Sequence, residues 1–411
     1  MTEAVEADAQ NLNESPDQTP PETPLAAIQR MSGAMRTERR GRSIIASYGD
    51  VLLEYAAVRE GGAGLIDLSA GGRILVSGSE AVPFLNGLIT NDMKTLAVNS
   101  WMPAAFPNVQ GRLIASVRII RLQDEQLDET AGSTARRAPE KASPVYLIDT
   151  EPATHERLLK TIERFTLAGD FRVRDITETT ALLTVQGRKA RTIVQSVLGD
   201  ALNELARDAC CEIPRGNYGL TVIRASHTEE DGFDLIVDSD HAAALWSALQ
   251  DAGARPVGDD ALEILRIEAG RPLYGVDMDE TNVVTEALEE TVSYTKGCYV
   301  GQEIIARIKY RGHVAKKLAG FVFPQAAEVT AGAVIRSTDN KEIGRVTSAT
   351  FSPHLGRTVA LGYLKFDYLA ADTPVRVVSD DQEFQGTVAA LPLVQGSWQA
   401  ETTFHAEGAT E

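Results

Sequence analysis

The apolar positions of the chain follow two spacings before about residue 318. Gly72–Gly78 alternates apolar and polar residues between glycines, which predicts a β-strand. Ser79 can cap a following helix whose apolar face consists of Val82, Leu85, Leu88 and Ile89. The same pattern predicts helices from about Ser239 to Gly253 and over Asp259–Ala269. This part of the chain is therefore predicted to be an α+β region.

From about Leu318 onward the pattern changes to short apolar runs separated by Gly, Pro, Asp and Asn. These runs are Gly320–Phe323, Gly344–Ala349, Val359–Tyr363, Val375–Val378 and Gly386–Leu391. Five short strands at such spacing predict a small barrel or sandwich. We therefore expect an α+β region over 41–316, formed by two interleaved domains, and an all-β domain over 317–400.

Three polar segments interrupt this pattern. Residues 1–24 hold six acids, four prolines and no Lys or Arg, so we expect a disordered tail that extends over 1–40. Residues 122–144 are polar and lie between two strand-like runs, which predicts a hairpin with an inserted mobile loop. Residues 401–411 are predicted to be a second disordered tail.

Composition limits the classes of partner. The chain of 411 residues has 58 acidic residues against 40 Lys and Arg, a net charge of −18. Such acidity argues against binding nucleic acid over the whole surface. The start of the chain lacks the features of a signal peptide, and no apolar run of about 18 residues suggests a membrane span. We therefore expect a cytoplasmic protein without a membrane partner.

One segment has the opposite charge. Residues 294–317 read YTKGCYVGQEIIARIKYRGHVAKK, with six Lys and Arg and one acid. The tyrosines among these bases, and Gly297 and Gly301, favour a functional surface over an ordinary solvated edge. A helix starting at Gln302 would point its first N–H groups toward an anion.

The three cysteines differ in context. Lys296 and the predicted helix start both favour a thiolate at Cys298, although a small buried thiol is the alternative. Cys210 and Cys211 lie in a predicted helix-to-loop transition before Pro214, and core packing suits them best. The sequence contains no C-x-x-C or H-x-x-x-H pair, so no metal site is predicted.

The segment around Cys298 resembles a known signature. Lys296, Gly297, Cys298, Tyr299, Gly301, Gln302 and Glu303 match the K-G-C-[FY]-x-G-Q-E signature of the folate-binding YgfZ family. That family is related to the glycine-cleavage T-protein and acts in iron–sulfur cluster assembly or repair. Other resemblances to the T-protein superfamily cover roughly residues 45–400: GAGLIDL at 62–68, Thr90-Asn91-Asp92, Thr228–Asp234, and the run from Arg266 to Gly275.

The resemblance implies a three-domain ring around a folate pocket, with a ferredoxin-like middle domain and a C-terminal β-barrel. It implies tetrahydrofolate or another reduced folate as cofactor, with Glu230 holding the pterin. An exposed turn acid is the alternative for Glu230. Arg266 is implied as a pocket residue, or as a partner of Glu263 or Glu268 in an internal salt bridge.

The chain departs from the T-protein pattern at one informative place. T-proteins follow an N-x-x-G-G stretch with two aspartates, one of them catalytic. Here Asn108–Arg112 keeps the stretch, but Ala115 and Ser116 stand where the aspartates would be. Neither side chain is a carboxylate, so the resemblance favours a protein without aminomethyl-transfer activity.

Three hypotheses follow. The leading one is a tetrahydrofolate-binding accessory protein for iron–sulfur cluster assembly or repair, with iron–sulfur enzymes or assembly proteins as partners and Cys298 as the candidate reactive residue. The second is a folate-dependent one-carbon (aminomethyl) transferase. The third is a tRNA-modification or RNA-binding accessory protein that uses the bases of 307–317, with Tyr310 and His313 among them.

Overall fold

The computed structural model describes residues 25–399, except 40–41, 125–142, 165, 167–168, 203 and 216–217. The predicted tails over 1–24 and 401–411, and most of the predicted loop 122–144, lie outside the described residues. What is described contains strands and helices in alternation up to residue 311 and strands almost alone beyond it. The predicted order of an α+β region and an all-β domain is confirmed.

The elements are numbered in chain order. The strands are β1 (Met35–Arg39), β2 (Arg42–Ser47), β3 (Gly64–Asp67), β4 (Gly72–Ser77), β5 (Ser100–Pro107), β6 (Leu113–Arg121), β7 (Val145–Thr150), β8 (Arg172–Asp175), β9 (Thr180–Gln186), β10 (Cys210–Arg215), β11 (Tyr218–Arg224), β12 (Gly232–Asp238), β13 (Arg255–Pro256), β14 (Lys316–Val322), β15 (Val334–Arg336), β16 (Glu342–Ser352), β17 (Arg357–Lys365), β18 (Pro374–Ser379) and β19 (Gln382–Ala389). The helices are α1 (Ala26–Met31), α2 (Val51–Arg59), α3 (Ala81–Leu88), α4 (His155–Glu163), α5 (Ala190–Leu198), α6 (Ser239–Asp251), α7 (Asp259–Glu268), α8 (Val284–Ala287) and α9 (Gln302–Arg311).

The first sheet has five strands in the order β5-β6-β7-β4-β8, and every neighbouring pair is antiparallel. β6 and β7 pair directly, which confirms the hairpin predicted on either side of the inserted loop. Helices α3 and α4 cover one face of this sheet, where Leu85 and Leu158 join a buried apolar cluster with Ala115. Alternation along β6 therefore directs Ala115 into this core and Ser116 to the other face.

The second sheet has six strands in the order β10-β11-β12-β9-β3-β13. Helices α5 and α6 pack on it around the fully buried Trp246. Leu25 is also buried in this core, and Gln29 of α1 donates a hydrogen bond to Asp67. The disorder predicted over 1–40 is therefore wrong for residues 25–39. Leu25 packs in the core of the second sheet, which the acidic composition of the preceding residues does not predict.

Cys210 and Cys211 begin β10, at the edge of the second sheet. The predicted helix-to-loop transition is wrong, because Pro214 is compatible with an edge strand, where a missing N–H costs no ladder hydrogen bond. Cys210 is buried, as core packing requires, and Cys211 is partly buried.

The third unit is a closed barrel in the order β14-β17-β16-β15-β18-β19, which β14 and β19 close by pairing. Helix α7 packs against β16 and β17 and so connects the barrel to the rest. After β19 the chain leaves the barrel. The backbone N–H groups of Leu393 and Val394 donate to the backbone carbonyl oxygen of Glu268, and the backbone N–H of Ser397 donates to the carboxylate of Glu230.

The two sheets face each other across an apolar layer. Ile120 of β6, Leu147 of β7 and Ile236 of β12 are buried in it. Alternate residues of a strand share a face, so the side chains that continue this layer are two residues further along each strand. Those positions are Arg118, Asp149 and Asp234, and they begin the candidate site.

Candidate functional site

Between the two sheets, the buried side chains change from apolar to charged over two residues of each strand. Arg118 lies opposite Asp149 in the β6–β7 register. An Nη2 atom of Arg118 lies 2.7 Å from Asp149 and 2.6 Å from Asp234, joining both sheets. His227 Nε2 lies 3.0 Å from the same Asp234. We call Arg118, Asp149, Asp234 and His227 the central cluster.

The central cluster keeps Asp234 ionised. Asp234 is fully buried, which by itself raises the pKa of a carboxyl, but His227 and Arg118 hold the pKa of Asp234 well below its usual range. The Arg118 guanidinium also lies 5.3 Å from the centre of the Trp101 ring. The Nε of Arg118 is buried and makes no hydrogen bond among the described residues. The cluster therefore retains an unused donor beside an aromatic face.

Ser116 shares the strand face of Arg118, since the two residues are two apart on β6. The β6–β7 register ends with Val117 paired to Thr150, the last residue of β7, so an extension of the register by one residue would bring Glu151 to the level of Ser116. Of the two positions at which T-proteins carry aspartates, only 116 faces the central cluster. The residue that directly follows the neighbouring strand β7, Glu151, nevertheless carries a carboxylate.

Glu230 lies in a second, adjoining set of charges. Its side chain is buried, with Oε1 2.9 Å from Arg59 and Oε2 accepting from the backbone N–H and the hydroxyl of Ser397. Arg59 also pairs with the buried Glu268. Both oxygens of Glu230 thus have partners inside the chain, so a pterin would have to compete with them.

The segment that contains Glu230 also keeps a backbone feature of its motif. Glu229 stands where the T-G-E pattern has glycine, and its φ of +65° lies in the left-handed region that glycine adopts freely. Its carboxylate lies 3.5 Å from Arg271. The T-G-E pattern thus persists in the backbone where the residue type has changed.

Arg266 forms an internal salt bridge, the alternative to a role in a folate pocket. Its guanidinium pairs with Glu263 and Asp277 and donates to Ser348 of the barrel. Glu268, the other predicted partner, binds Tyr55 and Arg59 instead. Arg266 therefore ties α7 to the barrel beside the junction.

The K-G-C motif, residues 296–303, lies at the end of the five-stranded sheet. Lys296 Nζ donates to the carbonyl oxygens of Asn86, Ile89 and Asn91, which closes the C-terminal end of α3. Its burial lowers the pKa of Lys296 to about 8. The ammonium thus donates to three carbonyl groups at the end of α3, and the predicted effect of Lys296 on Cys298 stays a prediction.

The rest of the motif packs against the turn between β5 and β6. Gly301 has a φ of +78° and a Cβ there would lie 2.4 Å from the carbonyl oxygen of Asn108, so only glycine fits. Tyr299 is buried against Lys296, whereas Gly297, Cys298 and Glu303 are exposed and Gln302 is partly buried. The predicted helix is confirmed as α9, beginning at Gln302. No hydrogen bond or ion pair among the described residues joins this motif to Glu230 or Arg266.

The bases of 307–317 are largely paired. Lys309 and Lys317 both bind Glu289, and Lys316 lies 3.9 Å from Glu286. Arg307 and Arg311 are exposed and have no ion pair with any described residue. The RNA hypothesis depends mainly on these two arginines and stays a prediction.

The described residues contain no group of three or more His, Cys, Asp and Glu side chains arranged to hold a metal ion. They also contain no helix that is long and apolar enough to cross a membrane.

Two parts of the chain match domains of a known protein family. Residues 42–296 match the GCVT N-terminal domain, and residues 316–395 match the glycine cleavage T-protein C-terminal barrel domain. The chain belongs to the glycine cleavage T-protein family. The family boundary at 316 coincides with the first residue of β14.

Known members of the T-protein family align over almost the whole chain. An aminomethyltransferase of Rubrobacter xylanophilus is 30% identical over 86% of this chain and 91% of its own. One from Thermotoga maritima is 28% identical over 92% of this chain and 99% of its own. The crystal structure of aminomethyltransferase T from Bartonella henselae superposes with a TM-score of 0.79 over 90% of this chain and 97% of that one, at 24% identity.

Sequence reasoning missed Arg118, Asp149 and Glu151. A signal for them exists, because LIASVRIIR and VYLIDT are apolar strands interrupted by single charges. A charge in a buried strand needs a partner or a function. Which partner it meets depends on pairing between strands far apart in sequence, which the pattern of one strand does not determine.

Proposed function

We propose that this protein binds a reduced folate at the central cluster and transfers a one-carbon group, as its relatives named aminomethyltransferase suggest. The observation that carries the proposal is the charged junction between the two sheets, where Arg118 joins Asp149 and Asp234 beside Trp101. The relatives support it, because they align with the full extent of the three units.

The residues of the junction suit a pterin. Its aminopyrimidine edge carries adjacent N–H donors, which carboxylates such as Asp234 and Asp149 accept. The unused Nε of Arg118 can donate to an acceptor, and Trp101 supplies an apolar face. Arg271, whose side chain is 44% exposed, is a base that can pair with the anionic glutamate tail of folate. When bound, tetrahydrofolate would supply the nitrogen atoms that receive the one-carbon unit.

The chain's own groups have separate tasks in this proposal. Arg118 orients Asp149 and Asp234, and together with His227 it keeps Asp234 ionised, so that this carboxylate accepts hydrogen bonds without taking up a proton. Trp101 excludes water from one side of the cluster. Glu230 and Arg59 form a buried ion pair that adjoins the central cluster. Ser397 donates a further hydrogen bond to Glu230.

Calorimetric titration with tetrahydrofolate tests the proposal. We expect saturable binding to the intact chain, and a loss of at least about tenfold in affinity for Asp234→Asn. Glu230→Gln tests the role implied by the resemblance, and it should weaken binding less, since its partners lie inside the chain. Transfer activity is then assayed with an aminomethylated lipoyl carrier protein. Absence of any folate binding would refute the proposal.

A second candidate is an accessory role in iron–sulfur cluster assembly or repair, as the likeness to the YgfZ signature implies. The observation in its favour is Cys298, which is exposed in a turn held rigidly by Lys296 and Gly301. The test is complementation of a strain lacking the protein, with iron–sulfur enzyme activity as the readout. Cys298→Ala should fail to restore that activity while it retains folate affinity; full restoration would exclude this role for Cys298.

A further inference from the structure

Glu151 lies where the first sheet meets the segment that follows α7. It follows β7 directly and continues the strand face of Leu147 and Asp149 toward Ser116 on β6. Its Oε2 accepts a hydrogen bond of 2.8 Å from the backbone N–H of Tyr274, in the segment that leads from α7 toward α8. Glu151 is half-buried, so its carboxyl is largely but not fully removed from solvent.

The charge of Glu151 is not balanced as those of its neighbours are. Asp149 and Asp234 pair with Arg118, and Asp277 pairs with Arg266. Glu151 has no base within ion-pair distance among the described residues. Its Oε1 has no hydrogen-bond partner there, and this leaves one carboxyl oxygen for a ligand.

The groups around Glu151 act on its proton in opposite directions. Burial is the largest influence and raises its pKa, the Tyr274 N–H and Arg266 lower it, and Asp277 and Asp149 raise it. The outcome is a pKa of about 7. Asp234 behaves oppositely, since His227 and Arg118 keep its pKa low. Two carboxyls of one site are thus separated into a fixed acceptor and a group that exchanges its proton near neutral pH.

We propose that Glu151 is the proton carrier of the junction, and this inference depends on the proposed function. The substrate nitrogen bonds to the one-carbon unit while the bond from that carbon to the sulfur of its lipoyl carrier breaks, and the electron pair of that bond leaves with the sulfur as a thiolate. Glu151 Oε1 accepts the proton of the substrate N–H: the N–H bond breaks, its electron pair stays on nitrogen, and an O–H bond forms on Glu151. The proton then leaves to the thiolate or to water. Glu151 thereby provides, from the residue that follows β7, the carboxyl that position 116 of β6 lacks.

The first experiment needs no folate. Infrared difference spectra of the intact chain are recorded through a pH titration, and the carbonyl stretch of a protonated carboxyl is followed. We expect a band that disappears as the pH rises through about 7. The band should be absent in Glu151→Gln and present in the control Glu163→Gln, an exposed acid of α4. A band that persists in Glu151→Gln overturns the inference.

The second experiment measures whether the proton is coupled to the ligand. Tetrahydrofolate is titrated in two buffers of different ionisation enthalpy, so that protons taken up or released on binding are counted. Glu151→Gln should bind with affinity within about threefold of the wild type but lose the pH-dependent proton count. An unchanged count overturns the inference. Absence of folate binding, with the infrared band intact, overturns the proposed function instead.

The third experiment uses the strand register. Glu151→Gln should lower transfer turnover by about 100-fold or more and remove the inflection near pH 7 from its pH profile. Adding Ser116→Asp restores a carboxyl on the facing strand, so the double variant should recover part of that rate. A merely structural role of Glu151 would give no such recovery and no change in the pH profile, and either result counts against a proton carrier.

Discussion

Arg118 and Asp149 face each other across neighbouring strands and form an ion pair of 2.7 Å in which both side chains are largely buried. The pair extends to Asp234 of the second sheet, so one guanidinium neutralises two acids. Removing one member of a buried ion pair leaves an uncompensated charge, which costs more than the pair contributes. The relationship therefore predicts how the junction responds to substitution.

Arg118→Met should lower the free energy of unfolding by about 3–5 kcal/mol, because it leaves two acids without their base. Urea unfolding measures this. The control is Arg345→Met, which removes an exposed pair with Glu342 and should cost under about 1 kcal/mol. Equal losses in the two variants would contradict a buried, compensating role for Arg118.

The raised pKa of Glu151 predicts a pH dependence of stability. The folded-state pKa of about 7 exceeds the ordinary value of 4.5, so between those pH values the folded protein holds more protons than the unfolded chain. The free energy of unfolding should therefore fall as pH rises from about 4.5 to about 7. Urea unfolding of the wild type and Glu151→Gln across this range should differ in slope, with about 1–3 kcal/mol less decline in the variant. Parallel curves would contradict it.

Gly297 and Gly301, the glycines on either side of Cys298, should differ sharply in how much stability an alanine substitution removes. Gly301→Ala forces a Cβ against the Asn108 carbonyl oxygen at a φ of +78°, so the free energy of unfolding should drop by about 2–4 kcal/mol. Gly297 has no atom within 4 Å of a built Cβ, and Gly297→Ala should change it by less than about 0.5 kcal/mol. Thermal unfolding of both variants distinguishes a packing motif from a merely flexible one.

Thiol reactivity should single out Cys298. It is exposed, whereas burial raises the pKa of Cys210 to about 12 and also raises that of Cys211. Ellman's reagent should label one thiol per folded chain rapidly, and the others only on unfolding. Cys298→Ser should abolish the rapid phase and Cys211→Ser should keep it; the reverse pattern would show that the motif shields its cysteine.

Much of the fold was accessible from the sequence because its signals are local. Apolar spacing and glycine stops predicted α3, α6, α7 and five of the six barrel strands, each within one segment of chain. The cap predicted at Ser79 is wrong, because α3 begins at Ala81 after Glu80 and has no side-chain cap. The start of the fold was predicted less well. Leu25 lies beside an acidic tail in sequence but packs in the core of the second sheet.

The site was less accessible because direction and partnership are not local. Lys296 is two residues from Cys298, yet its long side chain turns to three carbonyls at the end of α3. Glu230 was chosen from its motif, and its carboxylate is bound by Arg59 and Ser397. Such partners come from strands and segments more than a hundred residues away, which no single stretch of sequence reveals.

Ser397 is 167 residues beyond Glu230, and it supplies two of the donors that hold that carboxylate. During synthesis, the two sheets and the barrel can form before Ser397 has left the ribosome. Until then, Arg59 has to balance Glu230 and Glu268 without help from the returning segment. Completion of this part of the junction therefore follows the emergence of residues 393–397, and a nascent chain would hold a folded scaffold before it holds a finished binding site.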